Sequence, residues 1–181
     1  MIQKRAAALL AWMTAFASAS VALQATAPAV SAASACTIEG TDENDTIDGT
    51  RRDDYICAGG GNDVIRGLGG NDLIVGGGGA DRIYGGRGDD RIYGGRGEDI
   101  AEGGDGNDIV KGGRNRDVLR GQASGDRLYG GDGRDRLYGG RARDLFYTRD
   151  GVRDRLEGGG GKDCAHADRG LDVTISVHEY F

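Results

Sequence analysis

Aspartate recurs in this chain at a fixed interval. It stands at Asp45, Asp54, Asp63, Asp72, Asp81, Asp90, Asp99, Asp108, Asp117, Asp126, Asp135 and Asp144, twelve positions nine residues apart. After one extra residue the series resumes at Asp154, Asp163 and Asp172. Carboxylates are hard oxygen donors, and a row of them in register is a means of collecting hard cations. Each aspartate closes a turn, most plainly in Gly85–Asp90 (GGRGDD), Gly94–Asp99 (GGRGED) and Gly103–Asp108 (GGDGND). A single Gly-Asp turn does no more than change the direction of the chain. A dozen in strict register calls for a common purpose.

The elements that position these aspartates follow from the same period. We number the unit from its first glycine, so that the aspartate is at place 6. The glycines permit positive φ and close approach of neighbouring backbones. The three residues after the aspartate read as a short strand, with place 8 facing inward. That place holds Ile47, Ile56, Ile65, Ile74, Ile83, Ile92, Ala101, Val110, Leu119, Leu128, Leu137, Phe146, Leu156, Ala165 and Thr174. Two units make one coil of a solenoid, so turns 18 residues apart stack at about 4.8 Å. Asp63 then lies over Asp81, and Asp72 over Asp90. Carboxylates stacked that closely repel unless a cation neutralises them. Turn carbonyls that no ladder can use point to the same place. A flexible, all-oxygen donor set suits Ca²⁺ far better than Zn²⁺, and no Cys/His cluster argues otherwise.

The unit resembles the nonapeptide repeat of the RTX, or haemolysin-type calcium-binding, family, whose signature is G-G-x-G-x-D-x-U-x. Full matches are Gly76–Asp81, Gly85–Asp90, Gly94–Asp99, Gly103–Asp108, Gly130–Asp135 and Gly158–Asp163; near matches are Ala58–Asp63 and Gly67–Asp72. The resemblance implies an all-β fold, a parallel, right-handed β-roll of about fifteen units, with several Ca²⁺ ions between adjacent turns. The implied ligands are Asp63, Asp72, Asp81, Asp90, Asp99, Asp108, Asp135 and Asp163. Backbone oxygens of Gly76, Gly78, Gly85, Gly88, Gly94, Gly97, Gly103 and Gly106 would join them.

Some turns depart from the pattern. Asn115 and Ala142 stand at place 4, Gly121–Asp126 reads GQASGD, and arginine follows at place 5 in two cases, Arg116 and Arg143. Residues 36–108 carry 7 basic and 17 acidic side chains, for −10, whereas residues 111–157 carry 12 and 8, for +4. This split predicts that guanidinium groups replace calcium between Asp117 and Asp154, leaving the strong sites between Ala58 and Asp108. Residues 36–57 read as an N-terminal cap with degenerate repeats, 58–172 as the calcium-binding roll. Val173, Ile175 and Val177 alternate as a closing strand within 173–181, and the extra residue before Asp154 reads as a bulge or loop.

Residues 1–35 lie outside the repeat. Lys4 and Arg5, an Ala/Leu-rich run and Ala33-Ser34-Ala35 read as a cleaved secretory signal peptide, leaving no transmembrane segment. The product would be extracellular, free or held at the cell surface, and an excess of arginine over lysine, 20 to 3, hints at a bacterial source. Export leads to calcium-rich, oxidising surroundings. There a Cys36–Cys57 disulfide would clamp the cap; Ala-Ser-Ala-Cys also weakly resembles a lipoprotein box, which would lipidate Cys36 instead. Cys164 is too distant to join either. Arg82/Tyr84, Arg91/Tyr93, Arg127/Tyr129 and Arg136/Tyr138 face outward, as a solvated sheet surface or as a contact for a cell-wall or other extracellular polymer. An excess of acid, 21 basic against 29 acidic side chains after cleavage, argues against nucleic acid. No HExxH, GxSxG or nucleophile with a placed base is present, so the sequence reads as a binding or structural module and not as an enzyme.

Overall fold

The computed structural model describes residues 36–180; the predicted signal segment lies outside them. Seventeen strands, from β1 (Ile38–Glu39) to β17 (Glu179–Tyr180), form two sheets. The odd-numbered strands make a nine-stranded sheet and the even-numbered ones an eight-stranded sheet, each in sequence order. The strands pair in parallel, as in β6 (Arg82–Arg87) with β8 (Ile100–Asp105), where Ile83 faces Ala101. The register step is 18 residues, so two strands and two turns make one coil and the chain winds about eight coils. No helix occurs among the described residues, and so none there is long and apolar enough to cross a membrane. The solenoid is as the period predicts, with the short strands β1 and β17 added beyond the fifteen units counted from the aspartates.

One expectation about the strand needs correction. It is six residues long and runs through the two glycines. β6 reads RIYGGR, and β7 (Arg91–Arg96) repeats it. The turn proper is only places 4 to 6, for example Gly88-Asp89-Asp90. Two places per strand therefore point inward: place 8, and place 1, the first glycine. The place-8 residues Ile56 to Leu156 pack as a continuous core cluster, each no more than 1% exposed. Each large one stabilises the fold by roughly 1.5–3 kcal/mol. A glycine at place 1 leaves the interior one side chain deep: a Cβ on Gly76 would lie 3.1 Å from Ile83 Cδ1.

The two ends differ from the middle. Cys36 and Cys57 form a disulfide across the first coil. The extra residue enters after β13 (Leu145–Thr148), which is cut short and followed by a loop at residues 149–153. There Asp150 Oδ2 accepts a hydrogen bond from Gly133 N at 2.9 Å. At the far end β16 (Val173–Ile175) pairs in register with β14 (Arg155–Gly160). It turns Val173 and Ile175 outward, 42% and 39% exposed, while Val177 packs against the core.

Candidate metal centre

The place-6 aspartates are not on the outer rim. From Asp63 to Asp163 all twelve are buried, at 0–1% exposure. Their carboxylates turn in beneath the turn, and Oδ1 accepts a hydrogen bond from the amide of the equivalent aspartate one coil back. Asp63 N donates to Asp81 Oδ1 at 2.9 Å, Asp72 N to Asp90 Oδ1 at 2.8 Å and Asp90 N to Asp108 Oδ1 at 2.8 Å. The pattern continues across the extra residue, with Asp135 N on Asp154 Oδ1 at 2.8 Å. Oδ2 is another matter: in each of the twelve it is buried and has no hydrogen-bond partner. A buried polar oxygen with no partner is costly, and a buried charge more so.

Electrostatics agree. Burial pushes the carboxyl pKa up to about 6 at Asp81 and Asp108, about 7 at Asp90 and about 8 at Asp117 and Asp126. The backbone hydrogen bond from the preceding coil works against this, and carboxylates on adjacent coils add to it. Folding has thus gathered acids that resist ionising in this setting.

The first glycine of the unit leaves room for this arrangement. A Cβ on Gly76 would lie 2.5 Å from Asp81 Oδ2 and 2.7 Å from the carbonyl oxygen of Gly94, one coil on. Gly85 and Gly94 stand the same way toward Asp90 and Asp99. The orphaned carboxylate oxygen and a main-chain carbonyl therefore converge at a spot only glycine keeps open. Among the described residues no three His, Cys, Asp or Glu side chains converge. A cation would take one carboxylate from a turn and its other oxygens from the main chain. That donor chemistry fits Ca²⁺. A model of the RTX calcium-binding nonapeptide repeat matches the chain over residues 39–74, 66–101, 75–110, 102–137, 120–152 and 153–173.

The chain belongs to the RTX calcium-binding nonapeptide repeat family. A search of curated proteins found no match. RTX repeats are calcium-binding motifs, and the β-solenoid they form here is a structural calcium-binding fold. In this RTX roll positive φ falls at places 2 and 4, as at Gly77, Gly79, Gly86 and Gly88. Gly79 is the place-4 residue of its turn, equivalent to Gly88, Gly97 and Gly106; Gly78 stands at place 3, with open space around it.

The degenerate RTX turns keep the same geometry. Leu68 and Gln122 at place 2, and Asn115, Ser124 and Ala142 at place 4, hold φ between 70° and 81° without being glycine. Such a conformation costs a non-glycine residue about 1–2 kcal/mol. Beneath them Asp72, Asp117, Asp126 and Asp144 carry the same orphaned Oδ2. The expected replacement of calcium by arginine finds no ion pair at Asp117 to support it. Among the described residues Arg116 forms no ion pair with Asp117, and the charges acting on Asp117 are the carboxylates of Asp99, Asp135 and Glu98. Arg143 directs Nη2 to Cys164 Sγ at 3.3 Å. Arginine directly precedes the aspartate in sequence, but the aspartate is buried while Arg116 and Arg143 stay exposed.

The end turns are built differently, which the spacing did not disclose. Asp45 Oδ2 accepts from Thr41 N at 2.7 Å and Thr41 Oγ1 at 2.9 Å. Asp54 Oδ2 does the same with Thr50, at 2.7 and 2.9 Å. Asp172 Oδ2 accepts from Asp168 N at 2.8 Å and Thr148 Oγ1 at 3.0 Å. These three aspartates need no cation. Threonine at place 2, in GTDEND and GTRRDD, was the available signal.

Outward residues divide between the sheets. Arg82/Tyr84 and Arg136/Tyr138 are on the even sheet, Arg91/Tyr93 and Arg127/Tyr129 on the odd one, so they make two interrupted rows. Lys111 caps both Tyr93 and Tyr129 at 5.2 and 5.1 Å, and Tyr129 stacks on Tyr147 at 4.4 Å. Arg120 pairs with Glu102 at 3.1 Å on the even sheet.

Proposed function

We propose that this protein is an exported structural or binding module whose roll is completed by several Ca²⁺ ions. The observation that carries this reading is the set of twelve buried aspartate Oδ2 atoms without partners. Asp63, Asp72, Asp81, Asp90, Asp99, Asp108, Asp135 and Asp163 would hold the ions, and Asp117, Asp126, Asp144 and Asp154 share the same feature. Carbonyl oxygens of glycines such as Gly94 and Gly103 would complete each site. The bound ion supplies charge neutralisation; the chain supplies a turn already shaped to receive it, so that binding and folding are coupled. The secretory reading of residues 1–35 supports export, as does the prevalence of RTX repeats among secreted bacterial proteins. The test is far-UV circular dichroism of chelator-stripped protein during titration with Ca²⁺ and, separately, Mg²⁺. A cooperative gain of β signal with Ca²⁺ alone is expected. A chelated protein already fully folded and indifferent to calcium would refute the proposal.

A further inference from the structure

Arginines released from any duty to the aspartates collect on one edge of the roll. Arg116, Arg134 and Arg153 occupy place 5 of successive turns between the odd and even sheets. Arg136 and Arg155, at the starts of their strands, face each other across adjacent coils. All five are exposed. Among the described residues no carboxylate forms an ion pair with Arg116, Arg134 or Arg136 within 4.0 Å. Arg155 makes only a long contact of 3.8 Å with Glu157, and Arg153 donates Nε to the carbonyl of Leu171 at 3.1 Å. The four ion pairs found among the described residues all join residues of even-sheet strands. Between the arginines opens a cavity of about 190 Å³, lined by Arg134, Asp135, Arg136, Arg153, Asp154, Arg155 and Val173.

Three guanidinium groups at place 5 and two at the strand starts, in rows at the coil repeat of about 4.8 Å, repel one another. They are held there by the backbone register, so an external anion is what relieves the repulsion. Guanidinium is the side chain suited to bidentate pairing with planar carboxylate and with sulfate or phosphate oxygens. The row spans three coils, about 10 Å, long enough for successive charged groups of a polymer but short for a nucleic-acid track. No aromatic ring lines the cavity, so bases would find no stacking platform. Val173 offers an apolar wall to the carbon face of a sugar.

We propose that this arginine edge binds the carboxylate or sulfate groups of an acidic polysaccharide. The site lies on a turn edge and borders the even sheet's outer face through Arg136 and Arg155, and it rests on the fold alone. The experiment measures binding of polygalacturonate, heparin, inorganic sulfate and an oligodeoxynucleotide of matched charge to the full-length protein in saturating Ca²⁺. Circular dichroism run alongside reports whether the roll is formed, so a failure of calcium-dependent folding is seen separately. Salt-sensitive binding to one of the two glycans is expected. The Arg134→Ala/Arg153→Ala double variant should lose about tenfold or more in affinity, because bidentate charge-assisted bonds are removed. The Lys pair at the same positions should recover only part of it, and Arg91→Ala on the odd sheet should bind as the parent does. No glycan binding, or equal loss with Arg91→Ala, overturns the proposal. Tighter binding of the oligonucleotide, or of sulfate alone, overturns the polysaccharide assignment.

Discussion

At the scale of single residues, glycine does two separate jobs in this roll, and substitution tells them apart. Gly85 has ordinary φ, but a Cβ there would run into Asp90 Oδ2 and the Gly103 carbonyl. Gly85→Ala should therefore destabilise the calcium-bound protein by about 1–3 kcal/mol and lower its calcium affinity, both readable by thermal melts across a calcium titration. Gly78 has open space and ordinary φ. Gly78→Ala should be neutral or stabilise by about 0.4–1 kcal/mol, through the unfolded chain, with unchanged calcium dependence. The sequence made the aspartates legible because their period is unbroken through Asp144. It could not separate the glycine roles, since a missing side chain looks the same whether φ or space requires it. Within the four glycines 76–79 it is Gly79, not Gly78, that has the positive φ of place 4.

At the scale of the turn, two designs share one chain, one at its ends and one between. The middle turns leave Oδ2 open; the first two and the last fill it from Thr41, Thr50 and Thr148 hydroxyls and nearby amides. Thr50→Ala should remove about 1 kcal/mol of stability measured in saturating calcium, while the calcium midpoint of the middle turns stays where it was. A shift of that midpoint instead would show that the end turns also take the ion. The placement of each turn was readable from spacing. The direction of its arginines was not, because a residue next to an aspartate in sequence is turned away from it when only the aspartate enters the interior.

At the scale of the whole molecule, the raised aspartate pKa values set a pH dependence whose sign differs with and without metal. An aspartate of folded pKa about 6 to 8 keeps its proton where the unfolded chain, at an ordinary value of 3.8, has lost it. The folded state then binds more protons than the unfolded one, so its stability falls as pH rises from about 4 toward 8. Metal-free protein should melt highest in mild acid. Calcium favours the ionised form, so the calcium-bound protein should show the reverse, and adding Ca²⁺ near pH 7 should release protons. Melts at both conditions and a pH-stat titration check this. A metal-free stability that rises with pH would contradict the buried, partnerless placement of the carboxylates.

The 18-residue register also fixes how the molecule answers to tension. Each coil touches only the coils beside it, so a pull on the C-terminus meets no long-range tie that would make the whole yield at once. Coils should peel away singly, each paying out 18 residues, about 60 Å of extended chain. The Cys36–Cys57 bridge arrests that unwinding at the first coil, so that a stretched molecule retains a folded stub from which it can rewind.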